Sequence, residues 1–187
     1  MRARAGAAAV AFAAAIAGGG MAASPEPELL RNANFEAEPI PGRGCPPSWG
    51  CSAHSDGRSY AFEVKAVDGR RGRVLKVTRV KPEPWVLVAQ TLPHADYAGK
   101  RLRLAVAVNG ASLEGAAGPM IMLYGAGGRV LDHRKTLIKR GEGWRRAAVE
   151  IDVAPGTERI ECALTMQGAG SVAFDDVEAV LLPREGA

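Results

Sequence analysis

Two adjacent carboxylates near the end of the chain, Asp175 and Asp176, are the first candidates for acid–base chemistry. Hydrolysis of a glycosidic bond needs two carboxyl groups that face each other roughly 5 to 10 Å apart. Neighbouring residues of a strand point to opposite faces of a sheet, so this pair does not meet that need. The sequence also lacks a Gly-x-Ser-x-Gly elbow, a His-Glu-x-x-His helix and a phosphate-binding loop. It therefore predicts a protein that is not an enzyme, with an uncharacterised hydrolase as the weakest alternative.

The three cysteines are the next reactive groups. Cys45 and Cys51 flank a rigid loop, Pro-Pro-Ser-Trp-Gly, which is short enough to close on itself, so we expect a disulfide between them. Cys162 alternates with apolar residues and is expected to be a buried, inert thiol. A Cys–His nucleophile could use one of the histidines, but no local signature supports that interpretation: His54, His94 and His133.

The start of the chain has the layout of a secretory signal peptide. A basic Met-Arg-Ala-Arg start is followed by an apolar stretch and by small residues up to Ala23. That stretch is too short and too poor in large side chains for a good membrane span. We therefore expect a signal peptide over 1–23 and a secreted or periplasmic domain over 24–187, with no membrane insertion after cleavage.

The charge pattern argues against a nucleic-acid partner. Lys and Arg number 24 against 20 Asp and Glu, a net charge of +4 that falls to +2 once Arg2 and Arg4 leave with the signal peptide. The basic residues are scattered, whereas nucleic-acid binders gather them in a stripe.

The elements that position these residues have a hydrophobic period of two. Leu102, Leu104, Val106 and Val108 alternate with charged or small residues, which is typical of strands with one buried face. Gly- and Pro-rich turns separate the runs, and no helical stretch follows the signal peptide. The pattern predicts an all-β, antiparallel β-sandwich or jelly roll with nine strands: 29–35, 60–67, 74–80, 85–92, 101–108, 119–124, 144–153, 159–166 and 172–181. Two loops are predicted at 39–56 and 111–118, and Gly168-Ala169-Gly170 is predicted to be a turn.

The last predicted strand contains an irregularity at the two aspartates. Val172 and Phe174 share one face, whereas Val177 and Ala179 have the opposite parity. Such a slip of one residue predicts a β-bulge.

Several motifs along the chain resemble those of one family. They are Asn-Ala-Asn-Phe-Glu at 32–36, a strand ending in Gln90, Tyr-Ala-Gly at 97–99, Gly-Trp at 143–144 and Phe-Asp-Asp-Val at 174–177. In this order they resemble the galactose-binding-like β-sandwich of bacterial carbohydrate-binding modules. The resemblance implies a domain that binds carbohydrate and does not catalyse a reaction.

The same resemblance implies a structural calcium ion. In such modules the ion commonly lies where the first strand meets the last, held by carboxylates and backbone carbonyls, which suits a hard cation. The matching residues are Glu36 and Asp175, with Asp176 in reserve. The alternative is that Glu36 is a solvated turn residue and that the aspartates only cap the bulge.

Sugar binding needs flat aromatic rings with hydrogen-bonding groups around them. The candidates are Trp49, Tyr60, Trp85 and Tyr124, each with core packing as its alternative role. Exposed positions of the central strands would form the face where many members of the family bind a glycan: Arg103, Ala105, Ala107, Glu161, Ala163 and Thr165. Because much of that face is alanine, a site near the loops is favoured.

These observations predict an exported binding module whose partner is a glycan or another envelope component. The alternative partner is another envelope protein, because a flat alanine-rich sheet face suits protein packing.

Overall fold

A computed structural model of the chain describes residues 28–41, 44–93 and 97–183. The predicted signal peptide at 1–23 and His94 lie outside these residues. The described chain contains ten strands: β1 (Gly50–Ala53), β2 (Tyr60–Ala66), β3 (Arg73–Arg79), β4 (Trp85–Thr91), β5 (Arg101–Asn109), β6 (Leu113–Tyr124), β7 (Val130–Lys135), β8 (Ile138–Lys139), β9 (Trp144–Asp152) and β10 (Arg159–Leu182). Its helical elements are two short 3₁₀ turns, Gly57–Ser59 and Ala126–Gly128. No helix in the described ranges is long and apolar enough to cross a membrane.

The strands form two antiparallel sheets that share β10. Residues 159–170 of β10 belong to sheet A, in the order β1–β4–β10–β6, with β7 and β8 both paired to β6. Residues 171–182 belong to sheet B, in the order β2–β3–β10–β5–β9. One hydrophobic cluster contains residues of both sheets. The predicted all-β antiparallel sandwich is therefore confirmed.

The period-two pattern explains which residues form the core. In sheet B, Leu102 and Leu104 of β5 are fully buried, and Val88 of β4 and Leu164 of β10 in sheet A belong to the same hydrophobic cluster. Burying each such side chain contributes about 1.5 to 3 kcal/mol.

The predicted β-bulge is confirmed in β10. Asp175 pairs with Ala107 and Glu178 with Ala105, so β10 contains one residue more than β5 between these pairs. Asp176 has a φ of 47°, in the left-handed region that a bulge residue adopts.

The glycines at 168 and 170 do not end a strand, contrary to the prediction. They lie inside β10 with φ values of 96° and 84°, where the strand leaves sheet A and enters sheet B. Because glycine adopts positive φ without a steric penalty, the same residues that make a turn can redirect a continuous strand.

Three other predictions about elements were wrong. The segment 29–35 is irregular, because Asn32 and Phe35 have φ values of 50° and 57°, which a regular strand does not contain. The predicted loop at 111–118 is mostly strand, since β6 begins at Leu113 and pairs with β10 despite its small side chains. The sequence also failed to predict β1, β7 and β8, which are short or largely exposed.

Candidate functional site

Two of the four candidate aromatics belong to the core. Trp49 is 1% exposed, packs on Phe35 with 5.6 Å between ring centroids, and donates from Nε1 to the Asn32 carbonyl at 3.1 Å. Tyr60 is 5% exposed, and its hydroxyl donates to the Glu83 carbonyl at 3.1 Å. Neither ring offers a face to a ligand.

The other two, Trp85 and Tyr124, lie on one surface. We call this surface the outer face of sheet A, defined by the alternate residues of its three central strands that point away from the core: Trp85, Leu87, Ala89 and Thr91 of β4; Arg159, Glu161, Ala163, Thr165 and Gln167 of β10; and Met120, Met122 and Tyr124 of β6. Trp85 pairs with Gln167 and Tyr124 with Arg159. The two rings therefore stand at opposite ends of the face, eight residues apart along β10 or about 26 Å.

The middle of this face is an apolar floor. Leu87 and Ala89 are half-buried on one side of β10, and Met120 is half-buried on the other. Ala163 and Thr165 between them are 0% and 1% exposed, because their short side chains lie between larger neighbours.

The six positions predicted to form a single glycan face do not share one. Glu161, Ala163 and Thr165 lie on the outer face of sheet A, whereas Arg103, Ala105 and Ala107 pair with β9 and the second half of β10 in sheet B. The two groups of residues show the same alternation in the sequence, which is why they were predicted to share a sheet. The pairing of the strands shows that they lie on opposite surfaces of the sandwich.

Polar groups surround the Tyr124 end of the face. The Arg159 guanidinium stacks on the Tyr124 ring at 3.7 Å and donates to Glu161 Oε2 at 2.8 Å. Burial, and next the Glu161 carboxylate, raise the pKa of the Tyr124 phenol, so it stays protonated. On the neighbouring strand, His133 and Lys135 of β7 pair with Met122 and Met120. This end therefore combines an aromatic ring with donors and acceptors.

An open groove of about 820 Å³ continues this end towards the edge of the sheet. Its walls include Arg31, Ser52, Thr91 and Glu161. Gln90 fixes the segment that carries Arg31, because its amide accepts from the Arg31 N–H at 3.0 Å and donates to the Arg31 carbonyl at 2.6 Å. The groove can hold a ligand with many hydroxyl groups.

At the other end of the face, Trp85 has a histidine beside it. The His54 ring meets the indole edge-on, with 5.8 Å between centroids and an interplanar angle of 85°. Gln167 pairs with Trp85 and adds an amide. This end is thus a second aromatic platform with polar neighbours.

Sequence reasoning missed several residues of the face. Arg159, Gln167, Met120 and His133 carry no motif that marks them. Their only signal is that they share the parity of Trp85 or Tyr124, and this becomes informative once β4, β10, β6 and β7 are known to be neighbours.

The cysteines match their predictions. Cys45 and Cys51 form a disulfide with 5.8 Å between their Cα atoms, and Cys162 is free and buried. Burial raises the pKa of the Cys162 thiol to about 12, which keeps it protonated and inert.

The carboxylates assigned to calcium are bound by the chain's own nitrogen atoms. Arg70 Nε lies 2.9 Å from Asp175 Oδ2, and Arg70 Nη2 lies 2.7 Å from Asp176 Oδ2. Glu36 Oε1 instead accepts from the backbone N–H of Arg73 at 2.7 Å. No group of three or more His, Cys, Asp or Glu side chains within the described ranges could hold a metal ion. In this arrangement the residues do not fit a calcium ion.

Comparison with known proteins finds similarity in structure but not in sequence. No protein-family model and no curated protein matches the chain. Among solved structures, the enzymatically active domain of tailspike protein 4 from bacteriophage CBA120 has a TM-score of 0.61 and 15% identity, with 83% of this chain and 21% of that chain covered. The chain thus spans about a fifth of that protein's length.

Two carbohydrate-binding modules match over nearly their whole lengths. The CBM22-1 xylan-binding domain of Paenibacillus barcinonensis Xyn10C has a TM-score of 0.56 and 10% identity, covering 81% of this chain and 93% of that chain. The module TmCBM61, solved with β-1,4-galactotriose, has a TM-score of 0.51 and 17% identity, covering 82% and 97%. The chain therefore has the antiparallel β-sandwich fold of carbohydrate-binding modules.

Proposed function

We propose that this chain is an exported, non-catalytic module that binds carbohydrate on the outer face of sheet A, in the periplasm or outside the cell. The observation that carries the proposal is that Trp85 and Tyr124, the two candidate rings outside the core, stand on the same face. The signal-peptide pattern of residues 1–23 supports export.

The chemistry of the face suits a chain of sugars. The Trp85 ring can stack on the C–H surface of a pyranose, and Tyr124 can contribute its hydroxyl and the ring face that Arg159 does not cover. Arg159, Glu161 and Gln167 can bond to hydroxyl groups. Because the two rings stand about 26 Å apart along the direction of β10, the face favours an oligosaccharide over a single sugar. The similar structures include a xylan-binding domain and a module solved with β-1,4-galactotriose, so soluble xylans and galactans are the first ligands to test.

Three residues that were candidates for catalysis, Asp175, Asp176 and Cys162, are not arranged for it. Asp175 and Asp176 both contact the same guanidinium. They therefore do not form a pair of carboxyl groups on either side of a glycosidic bond, which hydrolysis of that bond needs. Cys162 is buried with a raised pKa.

The second candidate is an interaction module for another envelope protein. The apolar floor of Leu87, Ala89 and Met120 favours it, because such a surface also suits protein packing. On that candidate the same face is covered by a protein, and no glycan binds to it.

Replacing Trp85 with alanine is expected to weaken glycan binding about 30-fold, since loss of an aromatic anchor commonly costs roughly 2 kcal/mol. Residues 24–187 would be screened by affinity electrophoresis against xylans, galactans and a wider set of glycans. Tyr124→Ala should also weaken binding.

The matched control is Trp144→Ala, because Trp144 is a half-buried tryptophan in sheet B. It should leave glycan binding unchanged, while melting curves confirm that all variants are folded. A parent that binds no glycan, or a Trp85→Ala variant that binds as the parent does, would contradict the proposal.

A further inference from the structure

The β-bulge of β10 turns two neighbouring aspartates towards one cation. Asp175 and Asp176 would point to opposite faces of a regular strand, yet both reach the guanidinium of Arg70. The extra residue in the bulge and the φ of 47° at Asp176 make this convergence possible. Asp175 is 4% exposed. Its carboxylate therefore needs a charged partner, because a buried charge without one is strongly destabilising.

Arg70 comes from the connection between β2 and β3, far away in sequence. Its guanidinium lies 4.5 Å from the centre of the Trp144 ring at the start of β9, and its side chain is 22% exposed. The group therefore joins the β2–β3 connection, β9 and β10 at one point. A planar guanidinium suits this position, since it stacks on a ring while its edge meets carboxylates.

Two further oxygen atoms at the bulge accept hydrogen bonds from this chain. Asp175 Oδ1 accepts from the Asp176 N–H at 2.8 Å, and the Asp176 carbonyl accepts from Arg146 Nη1 at 3.1 Å. The adjacent N-terminal segment is attached without a metal, because the Val177 N–H donates to the Ala33 carbonyl at 3.0 Å.

Glu36 also accepts a hydrogen bond from the chain itself. Its Oε1 accepts from the Arg73 N–H at 2.7 Å and lies against Gly72, where a Cβ atom would be 1.9 Å away. The absence of a side chain at Gly72 thus lets the carboxylate close on the backbone.

We propose that the guanidinium of Arg70 takes the place of a bound metal cation at the β10 bulge, so that this chain holds its N-terminal segment, β2–β3 connection and last strand together without calcium. The positive charge is supplied by the protein itself. The bulge carboxylates become available to a divalent cation only when that charge is removed.

The test is thermal unfolding of four proteins in millimolar calcium chloride and in excess EDTA. The parent should melt at the same temperature in both. Arg70→Ala should melt about 5 °C or more below the parent in EDTA, because it leaves a buried carboxylate unpaired. Calcium should restore part of that loss, since an ion that binds only the folded state stabilises it. Arg70→Gln, which keeps part of the aliphatic side chain and a hydrogen-bonding amide but removes the charge, gives the same comparison if Arg70→Ala does not fold.

Arg73→Ala is the matched control. Arg73 lies in the same part of the chain, but its guanidinium pairs with the exposed carboxylate of Glu38. It should melt close to the parent and not respond to calcium. The proposal is overturned if the parent melts lower in EDTA or carries stoichiometric calcium by elemental analysis. It is also overturned if the Arg70 variants melt like Arg73→Ala or gain no response to calcium.

Discussion

Replacing Trp49 with alanine is expected to lower the free energy of unfolding by about 3 to 5 kcal/mol, as truncation of a buried tryptophan commonly does. The ring is 1% exposed and packs against Phe35, so the change opens a cavity inside the sandwich. It also removes the Trp49 hydrogen bond to the Asn32 carbonyl, which would keep only the longer bond from the Phe35 N–H at 3.3 Å. Urea titration followed by circular dichroism measures the loss.

Trp49→Phe separates the two contributions. This variant keeps most of the ring but loses the hydrogen bond, so its loss of stability should be clearly smaller than that of Trp49→Ala. A Trp49→Ala variant with the stability of the parent but without glycan binding would show instead that Trp49 belongs to the binding site.

Replacing Gly170 with alanine should lower the free energy of unfolding by at least about 3 kcal/mol. The φ of 84° at this position is unfavourable for any residue with a side chain, and the added Cβ would lie 2.0 Å from the Ser112 carbonyl oxygen. Because this oxygen belongs to the backbone beside β6, it cannot move away without disturbing the pairing of β6 with β10.

The matched control is Gly69→Ala. Gly69 has a φ of 78°, but no atom lies within 4 Å of the Cβ that would be added. It isolates the backbone cost of about 1 kcal/mol, measured in the same urea titrations. Equal losses in the two variants would mean that β10 does not pass from sheet A to sheet B at the close contact with Ser112.

The sequence predicts those parts of the fold that depend on residues close to one another in the chain. The period-two pattern of residues such as Leu102 and Leu104 predicts strands because alternation is a local property of the chain. The change of parity at Asp175 and Asp176 predicts a bulge for the same reason. The spacing of Cys45 and Cys51 was enough to predict their disulfide, because a short loop brings the two ends together.

The parts that could not be predicted depend on pairing between distant segments. Glu161 and Arg103 have the same local pattern, yet they lie in sheet A and sheet B because one strand serves both sheets. Trp49 looks like a loop residue, and only its contact with Phe35 shows that it is core. Arg70 is separated by more than a hundred residues from the aspartates that it binds, and nothing around it in the sequence indicates that role.

Trp85 and Tyr124 were predicted as candidates because they are aromatic and lie near strand ends. The pairing of β4, β10 and β6 places both rings on one face. It also brings Arg159 beside Tyr124, where the guanidinium stacks on the ring. The same pairing makes Trp144 a control in the opposite sheet.

The most direct test of the central claim, that the outer face of sheet A binds carbohydrate, uses the three tryptophans as reporters. Each contributes one indole N–H signal to a ¹H–¹⁵N spectrum, and each signal can be assigned by a Trp→Phe variant. During titration with the tightest-binding oligosaccharide of the glycan panel, the Trp85 signal should shift in a saturable way, while the signal of Trp144 in sheet B should stay in place. Trp49 lines the groove beside the face, so its signal is not used as a control. A shift of Trp144 without a shift of Trp85, or no Trp85 shift at saturating sugar concentration, would contradict the account.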